Sequence, residues 1–200
     1  MSPSTEVRGR VAVNVSPLGW RHRSGISNYV LGLMTEHLRA PERAGRIEMF
    51  LYARRRAAAR DAEALLGRSV RSWRLPERAA FRLFKWPLAR SWGMSGIGAY
   101  HETSIYLRGL PPRCRAVYTV YDVFPLLRPD WYSPFAAGEY ARAFRPAVRR
   151  ADRIIVQSRA ARADLLEVDP GLESKVAMIP NGVDTEAFRP ENSNDETEAA

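Results

Sequence analysis

Short apolar runs alternate with longer stretches of helical periodicity along most of this 200-residue chain. Residues 11–15 (VAVNV) form a β-branched run, and 16–24 read as a loop. Ile26, Tyr29, Val30, Leu33, Met34 and Leu38 then recur at the spacing of one helix face. Residues 41–45, opened by Pro41 and closed by Gly45, break that helix. Residues 47–52 (IEMFLY) predict a second strand, 54–66 an Ala- and Arg-rich surface helix ending at Gly67, and 70–75 a weaker strand. Aromatics and cations mix over 81–92, ahead of a loose stretch at 93–98. Further strands are expected over 100–107 and 116–121, separated by Gly109, Pro111 and Pro112. Residues 135–151 are helical in pattern, with Pro146 expected to kink the helix or mark its boundary. Residues 154–156 predict a short strand, Ser158 a cap for a helix over 159–167, and 176–179 a last strand stopped by Pro180. Such alternation argues for an α/β fold, with a Rossmann-like parallel sheet flanked by helices on both faces.

Two hundred residues with 46% hydrophobic content suit one sizeable core, so a single domain is expected over 1–190. Residues 191–200 (ENSNDETEAA) lack periodicity and read as an acidic disordered tail. The net charge of +9 is carried by 29 Arg against two Lys, and without the four acids of the tail the body stands at about +13. A basic body suits phosphates, anionic lipid or nucleic acid; a compositional preference for Arg on solvated faces explains it equally well. The lone Cys114 excludes an internal disulfide and fits a reducing compartment. Residues 1–10 are polar and charged, so no signal peptide is visible, and no apolar run approaches the ~20 residues of a membrane span. A soluble, cytoplasmic protein is expected, with peripheral contact at the inner face of the membrane left open.

Ser24-Gly25-Ile26 lies between the first strand and the first helix. In open α/β sheets ligands bind beyond the carboxyl ends of the strands, and helix N-terminal amides suit an anion. A glycine there lets a ligand approach, or simply makes a turn. Asp122 follows a strand and suits either site chemistry or a cap on the next turn. His101 and Glu102 read as lying early in their strand, where a histidine is either structural or a binding residue. His22 and His37 share no metal-like spacing with His101, and one Cys builds no zinc site, so no metal is expected. No Ser-His-Asp arrangement can be argued. Over 81–92, Trp86 and Trp92 interleaved with Arg82, Lys85 and Arg90 fit a half-buried helix, an anionic membrane surface or single-stranded nucleic acid. The nucleic-acid reading lacks an aromatic strand motif and rests on charge alone.

Three segments follow one another in a recognisable order: YTVYDVFPLLRPDWYS at 118–133, RADRIIVQSRAARADLLE at 150–167, and KVAMIPNGVDTEAFRP at 175–190. Together they resemble the closing half of the N-terminal domain of retaining GT-B glycosyltransferases, family four. SGISNYVLGL at 24–33 is similar to that family's Gly-Gly turn, with Ser24 replacing the first glycine, and YHETSIYLRGLP at 100–111 is similar to its His-containing segment. The resemblance implies transfer of a sugar from a nucleotide-diphosphate donor to a glycan or lipid-linked acceptor, with retention and without a cofactor or metal. It implies that Gly25 leaves space for the diphosphate, that Tyr121 and Asp122 face the reacting sugar, and that His101 and Glu102 help hold the acceptor. The family usually has histidine where Tyr121 stands; a phenol of pKa ~10 cannot serve as a base or cation near neutrality, though it still donates one hydrogen bond. Such enzymes are thought to use the leaving phosphate as base. Asn181-Gly182 is expected to support a tight turn, mostly structural in role. The donor-gripping Arg/Lys and the Glu-x7-Glu pair of the family belong to a second domain, expected to be absent here. A non-catalytic or truncated acceptor-domain subunit, needing a separate donor-domain partner, is the alternative.

Overall fold

The computed structural model describes residues 9–20, 22–52, 56–73, 96–104, 114–185 and 188. The aromatic–basic stretch 81–92 and the acidic stretch 191–200 lie outside the described residues, as do Gly109, Pro111 and Pro112. Seven strands form one sheet: β1 (Arg10–Asn14), β2 (Ile47–Tyr52), β3 (Arg71–Trp73), β4 (Ile97–Glu102), β5 (Arg115–Val120), β6 (Arg153–Val156) and β7 (Val176–Met178). Their order is β3-β2-β1-β4-β5-β6-β7 and every pairing is parallel. Strand order therefore reverses between β1 and β4, and the crevice beyond their carboxyl ends is where such sheets take ligands.

Six helices accompany the sheet among the described residues: α1 (Gly25–Arg39), α2 (Pro41–Ala44), α3 (Arg56–Leu66), α4 (Phe124–Leu127), α5 (Pro134–Arg150) and α6 (Arg159–Val168). Alternate strand residues split the core in two. Val13, Val15, Met49 and Leu51 meet Val30 and Met34 of α1 and Ala62 of α3 on one face. Tyr118, Val120, Ile154 and Val156 meet Phe144 of α5 and Leu165 of α6 on the other. This is the doubly covered parallel sheet that the alternating pattern implies. No helix among the described residues is long and apolar enough to cross a membrane.

The helix ends follow their local chemistry. Ser24 caps α1 with a reciprocal pair: the Ser27 amide donates to Ser24 Oγ at 3.2 Å, and the Ser24 amide to Ser27 Oγ at 3.3 Å. Ser158 caps α6 as expected, accepting from the Ala161 amide at 3.0 Å. Gly67 follows α3 at φ +62, the left-handed geometry that stops a helix.

Three expectations need correction. Pro146 neither ends α5 nor marks its boundary; the helix runs through it to Arg150. Arg142 and Pro146 are both exposed, so the carbonyl that loses its helical partner lies on the hydrated side. Strand β4 begins at Ile97 rather than at Tyr100, so His101 and Glu102 close the strand instead of opening it. Gly96 does sit in a turn, at φ +76, but Gly98 lies inside the strand, and the close approach there rests on Gly9: a Cβ on Gly9 would lie 2.7 Å from the Gly96 carbonyl and 3.2 Å from the Gly98 amide. The Asn181–Gly182 pair makes no tight turn; it lies in exposed irregular backbone without positive φ.

Candidate functional site at the strand ends

The carboxyl ends of β1 and β4 are locked by one buried network. Asn14 Nδ2 donates to Glu102 Oε1 at 2.5 Å, the Ser104 amide donates to the same oxygen at 2.8 Å, and Tyr100 Oη donates to Oε2 at 3.1 Å. Asn14 Oδ1 in turn accepts from the amide and hydroxyl of Ser16, at 3.0 and 2.6 Å. Ser16 Oγ accepts the Tyr52 amide at 2.9 Å, which brings in β2, and the Thr103 hydroxyl donates to the Asn14 carbonyl. Burial drives the Glu102 carboxyl up to about 7, against the opposing pull of its hydrogen bonds to Ser104, Asn14 and Tyr100. Glu102 is 1% exposed, so it braces the strand ends from beneath.

His101 faces the other way, because successive strand residues alternate across the sheet. Its Nε2 lies 2.8 Å from Thr119 Oγ1 on β5. Burial, with a smaller contribution from the charge of His37, lowers its pKa to about 4, so the ring is neutral at pH 7. The pair expected to act together is thus divided: His101 on the face of α1, Glu102 on the face of α5.

Tyr121 stands just past β5, on the His101 side. Its hydroxyl donates to the Thr103 carbonyl at 2.8 Å, and its ring meets Tyr29 edge-on, centroids 5.7 Å apart. Burial raises its pKa, as do Tyr29 and Glu102 nearby, so the phenol stays protonated. Tyr29 also reaches Thr119, whose hydroxyl bond opposes the upward push of burial on the Tyr29 phenol. Tyr29 lies one helical turn after Gly25, so its contact with Tyr121 brings the β5 end up to the N-terminus of α1. Gly25 is the first residue of α1 and has no positive φ, which removes the turn-glycine explanation. A Cβ there would meet nothing within 4 Å. Asp122 is exposed; its Oδ1 accepts the Phe124 amide at 3.3 Å and its carbonyl accepts Tyr140 Oη at 2.8 Å. It therefore caps the next turn while remaining open to solvent.

Four of the five expected residues come to the strand ends with groups toward the mouth or its wall, and Glu102 lies below them. Asn14, Ser16, Thr103 and Thr119 were missed. Each is a buried polar residue within or just after a strand, and Asn14 within VAVNV carried the clearest signal. Among the described residues, no group of three or more His, Cys, Asp or Glu could hold a metal ion.

A family model described as Glycosyltransferase Family 4 matches residues 23–187. The chain belongs to that family. A crystal structure of HepE from Anabaena in complex with UDP and glucose superposes with TM-score 0.64 at 16% identity, covering 92% of this chain and 47% of that one. A second HepE structure, in complex with UDP-glucose, superposes with TM-score 0.61 at 14% identity and the same coverage. These likenesses show the GT-B N-terminal fold, and this family-four chain spans about half the length of the proteins it resembles. A comparison with curated proteins finds no match.

Proposed function

We propose that this glycosyltransferase domain is the acceptor-side half of a retaining GT-B enzyme, moving a sugar from a nucleotide-diphosphate donor to a hydroxyl of a glycan or lipid-linked acceptor. The observation that carries the reading is the open ground before Gly25, on the helix whose Tyr29 meets Tyr121 at the end of β5, in a family-four fold. The amides at the start of α1 and their partial positive charge suit the donor diphosphate, and the missing side chain lets it come close. HepE, the structural relative, binds UDP and glucose, which supports a nucleotide sugar as co-substrate.

In this reading Asp122 accepts a hydrogen bond from a sugar hydroxyl at the mouth. Tyr121 stays protonated and its O–H is engaged in the hydrogen bond to the Thr103 carbonyl, so it offers the sugar an acceptor oxygen and a ring edge. The leaving phosphate takes the acceptor proton, and neither a base at position 121 nor a metal is required. His101, neutral and tied to Thr119, shapes the wall on the acceptor side. Glu102 positions both strand ends without touching substrate.

The domain reading covers residues 1–190, in the cytoplasm or peripherally at the inner membrane face. Turnover of UDP-, GDP- and ADP-sugars is to be measured for residues 1–200 alone and with a supplied second half. Little transfer alone and restored transfer with the second half is the expected result. Robust transfer by the chain alone, or none in any combination, would sink the reading.

A further inference from the structure

The segment after Asp122 carries large aromatic side chains that the fold does not bury. Trp131 is 64% exposed and Phe135 68%, with Phe124 and Tyr132 at 39% and 37%. Residues 128–136 are exposed throughout, yet their backbone is held in place. Pro129 starts a 3₁₀ turn whose ends are tied by Trp131 N–H to the Arg128 carbonyl at 3.0 Å and Tyr132 N–H to the Pro129 carbonyl at 3.2 Å. Pro134 then opens α5, with the Ala136 amide donating to Ser133 Oγ at 3.2 Å. Phe124 and Trp131 rest against each other, centroids 5.7 Å apart and planes tilted by 50°. Large apolar side chains held rigid in water mark a surface that meets something.

We propose that Phe124 and Trp131, with Arg128 and Asp130 in the turn that joins them, form a carbohydrate platform that seats a sugar ring of the acceptor next to Asp122. The platform continues directly into the mouth. Phe124 N–H is bonded to the Asp122 carboxylate and Tyr140 Oη to the Asp122 carbonyl, so the aromatic shelf moves with that acid. A pyranose ring presents weakly positive C–H bonds on its face and hydroxyls around its rim. The faces of aromatic rings carry partial negative charge and suit the former. A carboxylate accepts from the rim hydroxyls and a guanidinium donates to them, so Asp130 and Arg128 suit the latter. The same acid argues against a lipid surface. Asp130, beside Trp131, would face anionic headgroups with like charge and would lose hydration as the indole inserted. The assignment of the sugar to the acceptor rests on the transferase reading above; sugar binding itself does not.

The test is glycan titration of the 200-residue chain, with neither donor nor second half present, followed by NMR of the Trp131 indole N–H. That resonance is identified by its loss in Trp131→Phe. The probes are cellotetraose, xylotetraose and chitotetraose, and a parallel arm measures pelleting with phosphatidylcholine vesicles with and without phosphatidylglycerol. At least one tetrasaccharide is expected to shift the Trp131 signal at millimolar concentration. Binding should weaken about tenfold in Trp131→Ala and less in Trp131→Phe, which keeps a ring. Asp130→Asn should weaken glycan binding too, whereas at a membrane it would leave binding unchanged or strengthen it. No shift with any of the three sugars, or binding indifferent to Trp131→Ala, overturns the proposal. So does Trp131-dependent pelleting with anionic vesicles that strengthens in Asp130→Asn. Absent transfer in the reconstituted enzyme would count against the transferase reading and leave this platform standing.

Discussion

Strands β4 and β5 lie side by side in the sheet, and their carboxyl ends are opposites. Beyond β4, Glu102, Thr103 and Ser104 are all at most 1% exposed and joined to Asn14, Ser16 and Tyr100. Beyond β5, Asp122 and Phe124 are exposed and the chain continues into a run of nine exposed residues. Desolvated polar groups must find partners within the chain, and once they do they have nothing left to offer a ligand. Polar groups in water keep that capacity. One strand end is therefore frame, and its neighbour keeps groups free for a ligand. Tyr121 joins them, its hydroxyl anchored on the frame at Thr103 while Asp122 next to it faces out.

The sharpest way to break this contrast is to compare side-chain deletions on the two sides. Asn14→Ala removes the amide that holds Glu102 and both polar groups of Ser16, leaving three buried groups short of partners; a loss of about 4 kcal/mol is expected. Trp131→Ala removes a larger side chain from the open side and should change stability by no more than about 0.5 kcal/mol. Urea unfolding of both variants is the measurement. Equal losses would mean that the open edge is structural after all.

The pH dependence of stability separates frame from wall within β4 itself. The Glu102 pKa rises from 4.5 unfolded to about 7 folded, so its contribution is complete below pH 4.5 and is lost as pH rises through 7. The His101 pKa falls from 6.5 to about 4, so its contribution is complete above 6.5 and is lost as pH falls through 4. Each shift corresponds to roughly 3 kcal/mol, with opposite sign over the same window. Glu102→Gln removes one side of this balance. Its stability relative to the parent should climb by up to about 3 kcal/mol between pH 4.5 and 7, read from urea midpoints across that range. A difference independent of pH would show that burial does not hold the Glu102 proton.

Much of the fold was legible because apolar periodicity reports directly on burial. The IEMFLY run is β2 residue for residue, and Ser158 and Gly67 end their helices for reasons visible in their own chemistry. Legibility failed where one residue type serves two ends. Gly96 and Gly98 looked like loop signals, but the approach of their backbone to Gly9 depends on a residue nearly 90 positions away in the chain, as the Asn14–Glu102 bond across 88 residues also illustrates. The site was half legible for the same reason. Gly25, Tyr121 and Asp122 stood out through their motifs. The network below them is spread over three strands and their loops, and nothing local in Thr103 or Ser16 tells which partner it will meet.

Tyr121→Phe tests the hinge between the two ends. It deletes only the hydroxyl that donates to the Thr103 carbonyl and keeps the edge contact with Tyr29, so a loss of about 1 kcal/mol is expected. Asp122→Asn, one residue on, keeps an oxygen for the Phe124 amide and should leave stability within about 0.5 kcal/mol of the parent. In an enzyme reconstituted with a second half, the order should invert, with Asp122→Asn the more damaging to transfer. If Tyr121→Phe proved neutral in urea, the phenol would not be tied to the frame.

The smallest stability effect carries the most direct information about the mouth. Gly25 occupies the first position of α1, its φ is ordinary, and a Cβ would meet no atom of this chain within 4 Å. Gly25→Ala should therefore raise stability by roughly 0.5 kcal/mol, because alanine has less conformational freedom to lose on folding and adds no clash. In the reconstituted enzyme the same methyl would project into the ground proposed for the diphosphate and should weaken transfer, mostly through donor KM. A gain in stability together with a loss of donor affinity identifies space kept clear for a ligand, since a purely structural glycine would move neither quantity in that direction. Unchanged donor KM would place the diphosphate elsewhere, and would leave Gly25 as a helix start with nothing in front of it.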